Sequence, residues 1–224
     1  MHSVIFDCDG VLVNTEAIVV DIEIAAMAEL GVTYDRDAYI ARYVGCSEED
    51  FEAGLDADHR AVHGGGLPAG FMDALEARRV RALEREVAAI DGVREFAASL
   101  DCPRAVASSS RTPVLKMKLR KTGLAPLFGA HVHGGSDVAH AKPAPDLFLR
   151  AADGLCADPA DCLVVEDSVY GVTAARRAGM TAWGFIGGGH CPDGHGRGLA
   201  AAGAERVFGS YAALSAAYHE RAFA

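Results

Sequence analysis

Apolar residues along this chain follow two alternating rhythms. Short, mostly β-branched runs read as strands at Ser3–Phe6, Arg104–Ala107, Ala130–His133, Cys162–Val165, Thr181–Ile186 and Arg206–Phe208. From residue 92 onward, apolar residues three and four apart fill the intervals. They predict helices over Val93–Leu100, Pro113–Thr122, Pro145–Leu155, Val169–Ala178 and Tyr211–Tyr218. Thr112 before Pro113 and Ala144 before Pro145 mark two of the starts, because proline suits the first helical turn. Strands alternating with helices imply an α/β fold, a doubly wound parallel sheet covered on both faces.

Residues 15–91 break that rhythm. Helix follows helix over Glu16–Leu30, Asp35–Tyr43, Ser47–Leu55 and Pro68–Ala89, separated by Gly31, Gly45 and the run Gly64-Gly65-Gly66. The reading is therefore a catalytic core made of residues 1–14 and 92–224, with a helical domain, 15–91, inserted after the first strand. Linkers are expected near 14–16 and 88–92.

Charge sharpens this division. The chain carries 31 Asp and Glu against 21 Lys and Arg, a net −10. Residues 15–91 hold 17 acidic residues and 7 arginines, so the whole imbalance lies in the insertion. An acidic surface argues against nucleic-acid partners. No apolar run reaches the roughly 18 residues needed to cross a bilayer. The N-terminus has no basic, signal-like region and runs straight into a motif, so a cytoplasmic location is expected. The six cysteines form no Cys-x-x-Cys pair, which points to reduced thiols rather than structural zinc. Nothing specifies a partner chain, and a monomer is the expectation.

Candidate chemistry collects where an open parallel sheet delivers its ligands, at the carboxyl ends of the strands. Asp7 and Asp9 follow the first strand, Ser108, Ser109 and Ser110 the second, Lys142 lies beyond the third, and Glu166 and Asp167 end the fourth. This set suits phosphoryl transfer through a covalent aspartyl-phosphate. Asp7 is the expected nucleophile. Asp9, two residues on, is the expected acid and base for the leaving oxygen and the attacking water. Glu166 and Asp167, together with Asp7 and Asp9, offer hard oxygen ligands to Mg²⁺. Ser108, Ser109 and Lys142 would bind phosphate oxygens, and Lys142 would also offset repulsion among the carboxylates. Gly10 lets the chain turn close to the ligand.

Four motifs in order resemble the haloacid dehalogenase superfamily of phosphatases. They are Asp7-Cys8-Asp9-Gly10, Ala105-Val106-Ala107-Ser108, the lysine of Lys142-Pro143-Ala144-Pro145-Asp146-Leu147-Phe148, and Glu166-Asp167-Ser168-Val169-Tyr170-Gly171. The last two are similar to the branch that holds β-phosphoglucomutase and small-sugar phosphatases, where a helical cap stands in the place of residues 15–91. The resemblance spans nearly the whole chain. It implies a Mg²⁺-dependent enzyme acting on a small phosphorylated substrate, such as a sugar or sugar-acid phosphate. It also implies phosphate contact by Arg111.

Residues choose among the reactions of that superfamily. Its dehalogenases lack the second aspartate, and Asp9 is present. A Schiff-base hydrolase needs a cap lysine, and no lysine precedes Lys116. The mutase remains an alternative, as does a catalytically idle phosphate-binding protein of the same fold. Where the mutase carries a cap histidine this chain has Val19, and where the mutase carries a cap arginine the stretch Gly45-Cys46-Ser47-Glu48 has Glu48. A glutamate repels a second phosphate by about 1 kcal/mol even in water, which favours hydrolysis. Arg42, Arg78, Arg79 and Arg81 are cap candidates for an anionic substrate group, or else exposed helix charges paired with nearby glutamates. The loop Gly187–His195 is expected on the rim of the cleft, with His190, Cys191 and His195 making poor zinc spacing.

Overall fold

The computed structural model describes residues 3–44, 46, 48–189, 191 and 194–222. Six strands, β1 (Ser3–Phe6), β2 (Arg104–Ser108), β3 (Val132–Gly134), β4 (Cys162–Glu166), β5 (Thr181–Phe185) and β6 (Arg206–Phe208), form one sheet in the order β3-β2-β1-β4-β5-β6. Every pairing is parallel. The order reverses at β1, which lies between β2 and β4, and that switch point is where an open sheet leaves a crevice at its carboxyl edge.

Side-chain alternation explains why the sheet is covered twice. Val4, Phe6, Val106, Leu163 and Val165 share one apolar cluster with Phe96 of α5 (Val93–Ser99), Leu115 and Leu119 of α6 (Thr112–Lys121), and Leu214 of α11 (Tyr211–Ala222). The intervening Ile5, Ala105, Ala107 and Val164 face the other way. They pack on Phe148 of α8 (Asp146–Gly154), Val172 of α9 (Val169–Arg177) and Leu199 of α10 (His195–Ala201). The strand residues of both sets are buried, so their runs are continuously apolar rather than alternating in polarity.

Four helices follow β1: α1 (Glu16–Glu29), α2 (Arg36–Tyr43), α3 (Glu48–His63) and α4 (Phe71–Glu86). They enclose a third apolar cluster of their own, including Met27, Tyr39, Tyr43, Phe51, Leu55 and Leu75. The chain enters and leaves this unit through two adjacent segments. Val13 bridges Ala89 in antiparallel sense, Asn14 N donates to Ala88 O at 3.0 Å and Ile90 N to Leu12 O at 3.0 Å.

Some expected boundaries move. The third strand begins two residues later than its apolar run and ends one residue beyond it, at Gly134, which pairs with Ser108 although glycine carries no strand signal. The third helix of the insertion continues past Leu55 to His63 through a polar stretch. The fourth starts at Phe71 rather than Pro68. Two helices have no counterpart in the hydrophobic pattern, α7 (Ala125–Phe128) and α10. No helix among the described residues is long and apolar enough to cross a membrane.

Candidate active site

The carboxyl ends of β1, β2 and β4 bring Asp7, Ser108, Glu166 and Asp167 together, and the loop before α8 adds Lys142. All five are buried. Lys142 Nζ donates to Asp7 Oδ1 at 2.6 Å, to Glu166 Oε2 at 2.8 Å and to the Ala107 carbonyl at 3.1 Å. Glu166 Oε1 accepts from Ser168 N at 3.0 Å and from Ser168 Oγ at 2.8 Å, which fixes the carboxylate from the far side. Ser168 in turn caps α9, its hydroxyl oxygen accepting from Gly171 N at 3.0 Å. Gly171 leaves the room for Glu166, since any Cβ there would overlap that carboxylate. Gly10 has φ 73°, a left-handed turn that glycine adopts without strain. Its N–H donates to Val13 O at 2.9 Å.

Ligand oxygens of Asp7, Glu166 and Asp167 lie within 4.8 Å of one another. Three carboxylates against one buried ammonium leave this spot short of positive charge. Burial lifts Asp7 to about 8 despite the pull of Lys142, with Glu166 and Asp9 pushing the same way. Burial, then Glu166 and Asp7, also hold Asp167 well above the usual carboxylate range. A hard divalent cation would supply the missing charge, and an all-oxygen donor set fits Mg²⁺.

Asp9 belongs to a separate network. The sequence reading counts it among the metal ligands, but its carboxylate is not in the acidic trio. Asp9 Oδ1 accepts from Lys118 Nζ at 2.5 Å and Thr15 Oγ1 at 2.7 Å, and Oδ2 from Ser110 Oγ at 2.8 Å and Ser108 Oγ at 3.1 Å. Burial would raise its carboxyl, but the charge and hydrogen bond of Lys118, with bonds from Thr15 and Ser110, outweigh it and hold Asp9 at about 2. Sequence reasoning missed Lys118, a lysine in the interior of α6 that is 3% exposed and also donates to Ser110 Oγ at 2.8 Å. Its signal was present, because it shares the apolar stripe of Leu115 and Leu119.

These groups open onto a cavity of about 720 Å³ between the sheet edge and helices α1–α4. Ser109 and Arg111 line it from the exposed side of the β2 loop. Val19, Arg42, Tyr43, Glu48, Phe51 and Arg79 line it from the insertion. Arg78 instead makes a two-pronged pair with Glu29 away from the cavity, and Arg81 is exposed. Tyr43 and Phe51 serve both as core and as cavity wall. Gly45, Ser47 and His190 lie outside the described residues. His195 opens α10 rather than belonging wholly to a loop, and its Nε2 donates to the Asp167 carbonyl at 2.5 Å. Among the described residues the acidic trio is the sole group placed to hold a metal, and Cys191 and His195 are not in it.

The chain is similar to known proteins. The family model of haloacid dehalogenase-like hydrolases matches residues 1–179. A 6-phosphogluconate phosphatase of Escherichia coli K12 is 26% identical over 87% of this chain and 85% of its own length. Two crystal structures superpose over nearly the full length. One is a haloacid dehalogenase-like protein of unknown function from Agrobacterium tumefaciens, with TM-score 0.88 and 34% identity over 99% of each chain. The other is a family hydrolase from Deinococcus radiodurans with bound phosphate and sodium, with TM-score 0.80 and 38% identity over 98% of this chain and 96% of that one. The chain belongs to the haloacid dehalogenase-like hydrolase family and is an enzyme of its phosphatase kind.

Proposed function

We propose that this chain is a Mg²⁺-dependent phosphohydrolase that releases phosphate from a small phosphomonoester, a sugar or sugar-acid phosphate, through an aspartyl-phosphate on Asp7. The observation that carries the proposal is the division of two carboxylates, Asp7 and Asp9, into different electrostatic settings on one cavity. Two titratable groups held apart in this way can divide nucleophile and acid–base work between them.

Asp7 is the nucleophile, its oxygen aligned by Lys142. Lys142, Ser108, Ser109 and Arg111 are the groups proposed to hold the phosphoryl oxygens as charge develops on them. Asp7, Glu166 and Asp167 are the residues suited to Mg²⁺, which when bound neutralises phosphate and nucleophile so that they can approach. Asp9 is ionised in its bonds to Lys118 and Thr15, which suits the second half-reaction, where a base takes a proton from water. In the first half-reaction Asp9, having taken up a proton as the substrate binds, would donate it to the leaving oxygen, and the proton taken from water in the second half-reaction restores it. A phosphate dianion close by favours its protonation. Val19 and Glu48 at the cavity wall support hydrolysis over mutase chemistry.

Residues 15–91 are proposed as a cap that closes over the substrate, turning about the paired segments at Val13 and Ala89. A cytoplasmic setting suits the six cysteines, all free thiols. The test is a panel of phosphomonoesters assayed with Mg²⁺ and with EDTA, for the natural chain and for Asp7→Asn. Metal-dependent release that Asp7→Asn abolishes is expected. Near-native release by Asp7→Asn would exclude the covalent mechanism.

A further inference from the structure

The roof of the cavity has a charge pattern that the chemistry at its floor does not use. Four cap carboxylates line it, Glu16, Glu23, Glu48 and Glu76, against two cap guanidiniums, Arg42 and Arg79. Both guanidiniums are already engaged. Arg79 meets Glu23 at 2.7 Å and Glu76 at 3.4 Å, and lies over the Phe51 ring at 5.0 Å. Arg42 meets Asp58 at 2.8 Å and lies over the Tyr43 ring at 4.9 Å. Glu23 is 4% exposed, and its second oxygen accepts from Tyr39 Oη at 3.0 Å. Arg111, the lining cation with no carboxylate partner among the described residues, stands on the core side beside Ser109 and Ser110.

A second anionic group on the substrate would meet this roof at a disadvantage. To gain Arg79 it would have to displace Glu23, leaving a buried carboxylate without its counter-ion. To stay away from Arg79 it would face a wall with a surplus of negative charge. Hydroxyl groups face neither difficulty. A hydroxyl donates to a glutamate oxygen and accepts from a guanidinium N–H, so it binds across the Glu23–Arg79 pair without breaking it.

We propose that the substrate beyond its phosphate is an uncharged, hydroxyl-bearing chain or ring, and that the Glu23–Arg79 pair rejects a second anion at that end. This rests on the phosphohydrolase reading and narrows it, from sugar or sugar-acid phosphates to the uncharged polyol class. It also separates this chain from its relative named for a sugar acid.

The test compares two phosphomonoesters that differ only at the far carbon, sorbitol 6-phosphate with a hydroxymethyl group and 6-phosphogluconate with a carboxylate. Rates are measured with Mg²⁺ at about pH 8, where Glu23 is ionised. The expected kcat/KM favours the polyol by about tenfold or more, mainly through KM. If one of the pair turns over too slowly, its inhibition of p-nitrophenyl phosphate hydrolysis supplies the same comparison. Glu23→Gln releases Arg79 and should narrow the preference several-fold. Glu76→Gln, at a more exposed position, should act in the same direction to a smaller extent should the first variant fold poorly. Equal or better use of the acid by the natural chain overturns the inference while leaving the hydrolase reading intact. Absence of metal-dependent release from p-nitrophenyl phosphate and from both sugars overturns the hydrolase reading, and this inference with it.

Discussion

Lys118 is nearly as buried as Leu115 and Leu119 on the same face of α6, and among the described residues its charge has one carboxylate partner within hydrogen-bond reach, Asp9. Removing the ammonium would leave Asp9 a largely buried anion, about one-fifth exposed, supported only by hydroxyls. Breaking a fully buried pair costs about 3–5 kcal/mol, and the partial exposure of Asp9 lowers that figure. Lys118→Met should therefore lower the urea midpoint. The double variant with Asp9→Asn should recover part of the loss, because no charge then remains unpaired. Turnover of Lys118→Met should fall by about 10²-fold, the scale of one acid–base group out of place. Glu23 provides a pH-dependent counterpart. Burial lifts it to about 7 against the pull of Arg79, with Glu16 adding to the rise. A carboxyl raised in the folded state holds its proton there after the unfolded chain has released it. Its contribution to stability therefore declines as pH rises from the unfolded value of about 4.5 through 7. Urea titrations at about pH 5 and about pH 8 should show the natural chain losing stability relative to Glu23→Gln across that interval. Equal pH slopes for the two would rule out the shift.

At the scale of single elements, α9 shows how a motif works through its backbone. Ser168 caps the helix and binds Glu166, and Gly171 faces the same carboxylate with no side chain of its own. Gly171→Ala should push Glu166 off Lys142 and reduce kcat by about tenfold or more, while Ser168→Ala should cost about 1 kcal/mol as a lost cap. Thermal melts beside steady-state rates would separate the two effects. The same helix shows what was legible beforehand. Glu166, Asp167 and their strand stand out because a buried parallel strand is a continuous apolar run that ends abruptly in charge. The elements that escaped notice lacked a periodic signal. Residues Ala125–Phe128 make one turn, too short to show a period of 3.6. Helix α10 carries Gly196 and Gly198, which lower its helix propensity. A Cβ at Gly196 would sit 3.3 Å from Val207, tighter than usual, whereas one at Gly198 would meet Val169 in ordinary contact at 3.5 Å, so only Gly196 marks close packing. Lys118 stayed hidden for a different reason. A lysine in a basic run, with Lys116, Arg120 and Lys121 around it, looks solvated until the fold supplies a partly buried carboxylate.

Across the whole molecule, the sheet, its two covering layers and the inserted helices follow from hydrophobic patterning, yet the stability of the result depends on something the pattern does not encode. The switch point between β2, β1 and β4 gathers three carboxylates around one lysine in a buried crevice. Folding has to remove those charges from water, and Lys142 compensates only part of the cost. Two consequences follow together. On the proposed function Mg²⁺ would bind the folded chain and not the unfolded one, so it should raise the melting temperature as its concentration passes the dissociation constant. Asp167→Asn removes one of the crowded ionisable carboxyls, whose ionisation the site penalises, so in EDTA it should melt higher than the natural chain by about 5 °C, a shift equivalent to roughly 1–2 kcal/mol for a protein of this size. The same substitution removes a proposed metal ligand, so added Mg²⁺ should then raise its melting temperature little or not at all. Calorimetry of both proteins in EDTA and in millimolar Mg²⁺ yields the four values required. A variant less stable than the natural chain in EDTA would mean that Asp167 stabilises the fold without metal. A variant still stabilised by Mg²⁺ to the full extent would mean that the ion binds elsewhere. The predicted crossing, with the variant higher in EDTA and the natural chain higher in Mg²⁺, is what a site built for a cation at the expense of metal-free stability requires.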